Sequence, residues 1–143
     1  MNKNKASVDP GNLVYADSAL HLARVWAGKN RFGLAIENIR EALTARFAPD
    51  SLSNAAIYTA GKMIESDLKS EASFLLKEML ATLADPQKGA IHVELGKIAR
   101  DSEETEKAKK HFGKALELLP DGPNRAWVEE SLSDLKSQAT IAE

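Results

Sequence analysis

The stretch of sequence that decides the fold runs from residue 89 to residue 120 and reads GAIHVELGKIARDSEETEKAKKHFGKALELLP. A Leu95-Gly96 pair opens a spacing that continues at distances of 12, 16, 19 and 24 residues from the glycine, at Ala108, Phe112, Ala115 and Pro120. Small side chains let two helix backbones approach closely, and large ones fill the space between them. The segment therefore predicts a pair of packed helices, over residues 91–99 and 105–118.

This spacing resembles the tetratricopeptide repeat (TPR), a unit of about 34 residues with a Leu-Gly pair, an Ala-x3-Phe motif and a closing proline. The resemblance implies antiparallel helix pairs that cannot bury their apolar faces alone and so stack on one another. It also implies an all-α fold, a right-handed superhelical stack of about seven helices, and a function based on binding rather than on chemistry.

Two earlier segments fit the same pattern when each is aligned on a small–large–small core. The core of the third repeat recurs 73 residues earlier in the first repeat and 36 residues earlier in the middle one, at Ala35, Ile39 and Ala42 and at Ala72, Leu76 and Met79. Leu22-Ala23 and Thr59-Ala60 then stand where the Leu-Gly pair would be. We therefore expect repeats at about 16–49, 53–86 and 89–122, followed by a capping helix at about 123–138.

Apolar residues at gaps of three and four predict the remaining helices, over about 13–27, 32–43, 55–64, 71–83 and 124–138. Asp-Pro pairs at residues 9–10 and 85–86 are typical of helix starts, where Asp caps free backbone N–H groups and Pro fits the first turn. We expect one TPR-like domain over residues 9–138, a mobile arm at 1–8 and a flexible C-terminus at 139–143.

Composition excludes several classes of function. The 143 residues carry 19 basic and 21 acidic side chains and a formal net charge of −2, so no basic field favours nucleic acid. Without cysteine there is no disulfide, thiolate or Cys-ligated metal site. No apolar run approaches the roughly 18–20 residues of a membrane helix, and no apolar stretch follows the N-terminal lysines. We therefore expect a cytoplasmic protein without membrane insertion.

Catalytic and metal-binding patterns are also missing from the sequence. The three histidines, His21, His92 and His111, show no spacing that would put two ligands on one helical face, and His92 takes a repeat position suited to packing. Glycines are scattered singly, without a phosphate loop. Trp26 and Trp127 are expected to be buried, which leaves no stacking surface for bases. We therefore predict no enzyme activity, no catalytic residue, no metal and no cofactor.

The resemblance implies that the first helix of each repeat lines a concave groove for a peptide or helix of a partner protein. Carried over by alignment, the groove positions are Asp17, Leu20, Arg24, Asn54, Ile57, Ile64, Val93, Lys97 and Arg100. The basic side chains of this set suit an acidic partner, and the apolar ones suit apolar side chains. The carboxylate clamp of some TPR proteins has Lys and Asn where this chain has Leu20 and Arg24, which argues against that specialised activity.

Three functions follow in order of support. The first is an adaptor that binds another protein or peptide, an acidic one included, or a second copy of the chain. The alternative is a small TPR-type chaperone for a secretion or pilus-assembly client, which would bind an apolar surface. The third is an enzyme, for which the sequence has no ligand spacing, or a regulatory fragment of a larger enzyme.

Overall fold

The structure is a computed structural model that describes the backbone of residues 10–45 and 49–142 and the side chains of residues 18–43 and 50–137. The described residues form seven α-helices and no strand, which confirms the all-α prediction. The helices are α1 (Pro10–Gly28), α2 (Phe32–Ala45), α3 (Pro49–Glu65), α4 (Lys69–Met79), α5 (Asp85–Asp101), α6 (Thr105–Leu118) and α7 (Pro123–Ala142). The mobile arm predicted at residues 1–8 and the Asp9 cap lie outside the described residues.

Several helix boundaries differ from the prediction. Helix α3 begins at Pro49, six residues before the predicted start, because proline fits a first helical turn and Asp50 lies favourably at its positive end. Helix α5 begins at Asp85, but the capping position is Ala84 and no side chain caps it, so the predicted role of Asp85 as cap was wrong. Helix α4 ends earlier than predicted, at Met79, and α7 continues to Ala142.

Three of the connections between helices have the same backbone geometry. In each, one non-glycine residue takes a left-handed conformation, with φ of 61° at Asn30, 66° at Asp67 and 60° at Glu103. The N–H of the next residue donates to a carbonyl five residues back, as from Arg31 to Trp26 and from Glu104 to Ala99. This is the Schellman end of a helix, in which left-handed backbone satisfies the last free carbonyls.

These turns repeat with the period found in the sequence. Asp67 follows Asn30 by 37 positions, and Glu103 follows Asp67 by 36. The first and third turns are therefore 73 positions apart, which is the offset between the first and third repeats in the sequence. After each turn, an alanine N–H of the next helix donates to the backbone carbonyl of the residue that directly follows the left-handed one. The pairs are Ala35 to Arg31, Ala72 to Leu68 and Ala108 to Glu104. The structure thus contains one helical hairpin three times, as α1–α2, α3–α4 and α5–α6.

The repeat core lies inside these hairpins. All nine aligned core residues, from Ala35 in the first hairpin to Ala115 in the third, have an exposed fraction of 0%. Alanine contributes little buried area, so the larger members supply most of the hydrophobic stabilisation: Ile39, Leu76, Met79 and Phe112. The alignment made on the sequence therefore identifies all described buried positions of α2 and α6 and all of those of α4 except Leu75.

Contacts divide the chain into two compact units. The N-terminal unit is Met1–Thr82, where α1 packs on α2 and α3, and α3 packs on α2 and α4. The C-terminal unit is Leu83–Glu143, where α6 packs on α5 and α7. In the latter, the Arg125 guanidinium of α7 donates to the carbonyls of Leu116 and Leu119 and so satisfies the end of α6. The right-handed superhelical stack stays a prediction.

Candidate functional site

A cleft of the N-terminal unit lies between α1 and α3. Its volume is about 680 Å³, and its lining residues are Leu20, His21, Arg24, Val25, Ser51, Asn54 and Tyr58. Three of these, Leu20, Arg24 and Asn54, are positions predicted for the groove. The structure therefore brings together predicted site residues from two different repeats.

The cleft has an apolar floor and a basic rim. Leu20 has an exposed fraction of 3% and forms part of the floor, while Val25 and Tyr58 are exposed at 38% and 36%. The guanidinium carbon of Arg24 lies 5.4 Å from the centroid of the Tyr58 ring, and Lys62 Nζ lies 5.7 Å from the same centroid. Among the seven described lining residues there is no carboxylate, and Arg24 gives this set a positive charge.

The accessible face of α3 differs from the predicted one. Ser51, Asn54 and Tyr58 line the cleft at gaps of three and four residues, whereas Ile57 and Ile64 are half-buried and lie outside the lining. Tyr58 is one position beyond Ile57, so the face is rotated by one residue. The sequence could have indicated Tyr58, because it lies four residues after Asn54 and so on the same face of the helix. The Asp17 side chain lies outside the described residues.

The predicted positions of the third repeat form a separate set in the C-terminal unit. Val93 packs partly buried against the core cluster that contains Phe112. Lys97 Nζ lies 3.3 Å from Glu94 Oε2 and 5.1 Å from the centroid of Trp127. The Arg100 guanidinium carbon lies 5.5 Å from the centroid of the same ring.

Trp127 was expected to be buried, and that expectation was wrong. The buried stripe of α7 runs through Val128, Ser131 and Leu135, at gaps of three and four. Trp127 therefore lies at the edge of this stripe, with 37% of its surface exposed and one edge contact, at 5.8 Å, to Phe112. The sequence-based exclusion of a base-stacking surface assumed that both tryptophans are buried. Trp127 is exposed beside two cations, so this assumption does not hold for it.

Each unit thus carries a cation from its first helix over an aromatic ring two helices later. Arg24 and Lys97, one such cation from each unit, are 73 residues apart, which is the offset of the first and third repeats. Cation–π contacts at such exposed sites contribute about 0.5–1 kcal/mol each, so they orient the side chains more than they stabilise the fold.

No protein family model, curated protein or solved structure matches this chain. The resemblance to the TPR family therefore rests on the residues and the spacing of the sequence and stays a prediction. The repeated turn and the buried core are properties of the structure itself and do not depend on that resemblance.

Two further features of the described residues bear on the site. None of the described helices is both long and apolar enough to cross a membrane. Among residues 18–43 and 50–137, whose side chains the structure describes, no group of three or more His, Cys, Asp or Glu side chains is arranged to hold a metal ion. The structure does place His92 of α5 against His111 of α6, a contact between helices that spacing along one helix could not reveal.

Proposed function

We propose that this protein is a binding module that recognises an acidic segment of a partner protein in the cleft between α1 and α3. The observation that supports this most directly is the meeting of Leu20, Arg24 and Asn54 in one cleft, because these residues come from two repeats. Its volume of about 680 Å³ falls within the range of roughly 300–1,000 Å³ that is usual for ligand sites.

The chemistry of the lining favours a particular kind of segment. Leu20 and Val25 offer apolar contact, the Asn54 amide offers a donor and an acceptor, and the Arg24 guanidinium offers paired donors to a carboxylate. The Tyr58 ring lies beside that guanidinium, with its centroid 5.4 Å from the guanidinium carbon. The matching ligand is a peptide in which Asp or Glu stands next to a Leu-like or Phe-like side chain.

The test compares two labelled peptide libraries by fluorescence anisotropy. One combines Asp or Glu with Leu or Phe, and the other replaces each acid by its amide. We expect the acidic library to bind, and binding to weaken as salt is raised. Arg24→Glu should weaken it about tenfold or more, because a hydrogen bond to a charged group contributes about 1.5–3 kcal/mol.

Arg31→Glu is the matched control. Arg31 is exposed in the turn after α1 and lies outside the cleft lining, so the substitution changes net charge equally. Equal losses in the two variants would mean that charge alone attracts the peptides. Equal binding of the acidic and amide libraries would remove the proposed preference for an acid.

A second candidate, the chaperone for an apolar client, is favoured by the face formed by α2 and α4. Phe74 is 64% exposed beside a smaller cleft of about 350 Å³, which also contains Ile36 and Leu75. Arg40 spans this cleft and donates through Nε and Nη2 to both carboxylate oxygens of Glu78, at 3.2 and 2.8 Å. An exposed phenylalanine of this kind suits an apolar surface on a client.

Co-purification from the native host separates the two functions. A chaperone's client should be lost from Phe74→Ser and kept by Arg24→Glu, whereas an acidic partner in the α1/α3 cleft should show the reverse. Leu22→Ser, which removes another exposed apolar side chain of the same unit, is the control for a general loss of surface hydrophobicity. Quantitative mass spectrometry of the bound proteins gives the answer.

A further inference from the structure

The two histidines of the third hairpin face each other. His92 Nδ1 and His111 Nδ1 lie 3.1 Å apart, and the ring centroids lie 5.3 Å apart with an angle of 30° between the ring planes. Both side chains are half-buried, so water reaches the pair. His92 is on α5 and His111 is on α6, and the contact therefore joins the two helices of one hairpin.

The separation of the two nitrogens matches the span of a single metal ion. Bonds from an imidazole nitrogen to a first-row transition metal are about 2.0–2.1 Å, so two nitrogens 3.1 Å apart subtend an angle of about 100° at a shared ion. This angle lies between the right angle of square-planar sites and the angle of tetrahedral ones. Imidazole is a preferred ligand of Cu(II), Ni(II) and Zn(II).

We propose that His92 and His111 form a site for one divalent first-row transition ion, bound through the two Nδ1 atoms. Water fills the other coordination positions, because the described residues place no third His, Cys, Asp or Glu in a metal-holding group. Such a site exchanges its ion readily, unlike a closed structural zinc site with four protein ligands. Among the three ions, Cu(II) should bind most tightly.

The surroundings favour the protonation state that binds a metal. Burial and the nearby Lys114 lower the pKa of His92, Lys88 acts in the same direction, and Glu117 opposes them. Without metal, one Nδ1–H donates to the other Nδ1. When the ion binds, that ring carries its hydrogen on Nε2 instead, and both Nδ1 atoms are then free to bind the ion.

The experiment titrates the untagged, metal-free chain with copper(II) chloride at neutral pH and records calorimetry and electron paramagnetic resonance. We expect one ion per chain and a spectrum with splitting from two nitrogen ligands. His92→Gln and His111→Gln should each lower the affinity by more than an order of magnitude. His21→Gln, which changes the exposed histidine of α1, should leave it unchanged.

Other results would overturn the proposal. Copper that binds equally well after both substitutions, or that is lost with His21→Gln, would place the ion elsewhere on the chain. A spectrum with a single nitrogen ligand in the unaltered protein would exclude the pair even if a variant failed to fold. Circular dichroism of each metal-free variant separates loss of the site from loss of the hairpin.

Discussion

A Cβ atom on Gly96 would lie 2.6 Å from Cε1 and 2.7 Å from Cδ1 of Phe112. The glycine therefore lets α5 approach the aromatic ring of α6. Phe112 is fully buried in a cluster with Ala99, Ala115 and Val128, so a shift of the ring would disturb their packing. The Leu-Gly and Ala-x3-Phe elements of the sequence are thus the two sides of one contact.

Substitution of Gly96 by alanine should destabilise the protein by about 1–3 kcal/mol, the usual cost of adding a methyl group to a filled core. Gly113→Ala is the matched control in the same hairpin, because a Cβ there meets nothing within 4 Å. That change should stabilise by about 0.5–1 kcal/mol, the difference between Ala and Gly inside a helix. Urea unfolding measures the free energy of unfolding of both variants. Equal changes in this free energy for Gly96→Ala and Gly113→Ala would contradict the close contact between Gly96 and Phe112.

Local spacing along the chain predicted the repeat core well. Alignment of Ala108, Phe112 and Ala115 with the two earlier segments found nine positions that are all fully buried, and helix α6 has the predicted bounds. This worked because burial within a helical hairpin follows the helical period, which the sequence shows directly.

Features that depend on the rotation of one helix against another were not predicted. The contact between His92 and His111 needs the facing angle of α5 and α6, which spacing along one helix does not give. In the same way, Tyr58 lines the cleft where Ile57 was predicted, because the exposed face of α3 is rotated by one residue. Trp127 directly precedes Val128 in the sequence, but Val128 is fully buried and Trp127 is exposed, because neighbouring residues of a helix point in different directions.

Glu103→Gly should stabilise the third hairpin. Glu103 has a φ of 60°, a conformation that is unfavourable for side chains with a Cβ and open to glycine. Glycine also gains freedom in the unfolded chain, so the expected net gain is about 0.5–1 kcal/mol. Asn30→Gly at the equivalent turn should change stability much less, because asparagine tolerates this conformation. A thermal unfolding midpoint that falls for Glu103→Gly would contradict the assignment of strain.

Stability should fall as the solution becomes acidic, in part through His92. Burial, followed by Lys114, lowers the pKa of His92 below its ordinary value of 6.5. The unfolded chain therefore binds more protons than the folded one below 6.5. This contribution is fully present above 6.5 and is lost as the pH falls through the folded-state pKa. Urea unfolding across this range, with a chelator present, should show a weaker pH dependence for His92→Gln than for His21→Gln.

Trp127 should respond more strongly to an anionic quencher than to a cationic one. Trp26→Phe leaves it as the only tryptophan of the chain, so its fluorescence can be observed alone. The ring is 37% exposed beneath Arg100 and Lys97, and these cations attract iodide and repel caesium. Lys97 also pairs with Glu94, so Arg100 should contribute most of the attraction.

In that single-tryptophan protein, the Stern–Volmer constant for iodide should exceed the constant for caesium at equal ionic strength. Arg100→Gln should reduce the difference, since it removes the cation without adding a negative charge. Lys114→Gln, which removes an exposed cation of α6, is the matched control and should preserve the difference. If both ions quench Trp127 equally in the Trp26→Phe protein, Arg100 and Lys97 do not lie over an exposed ring in solution.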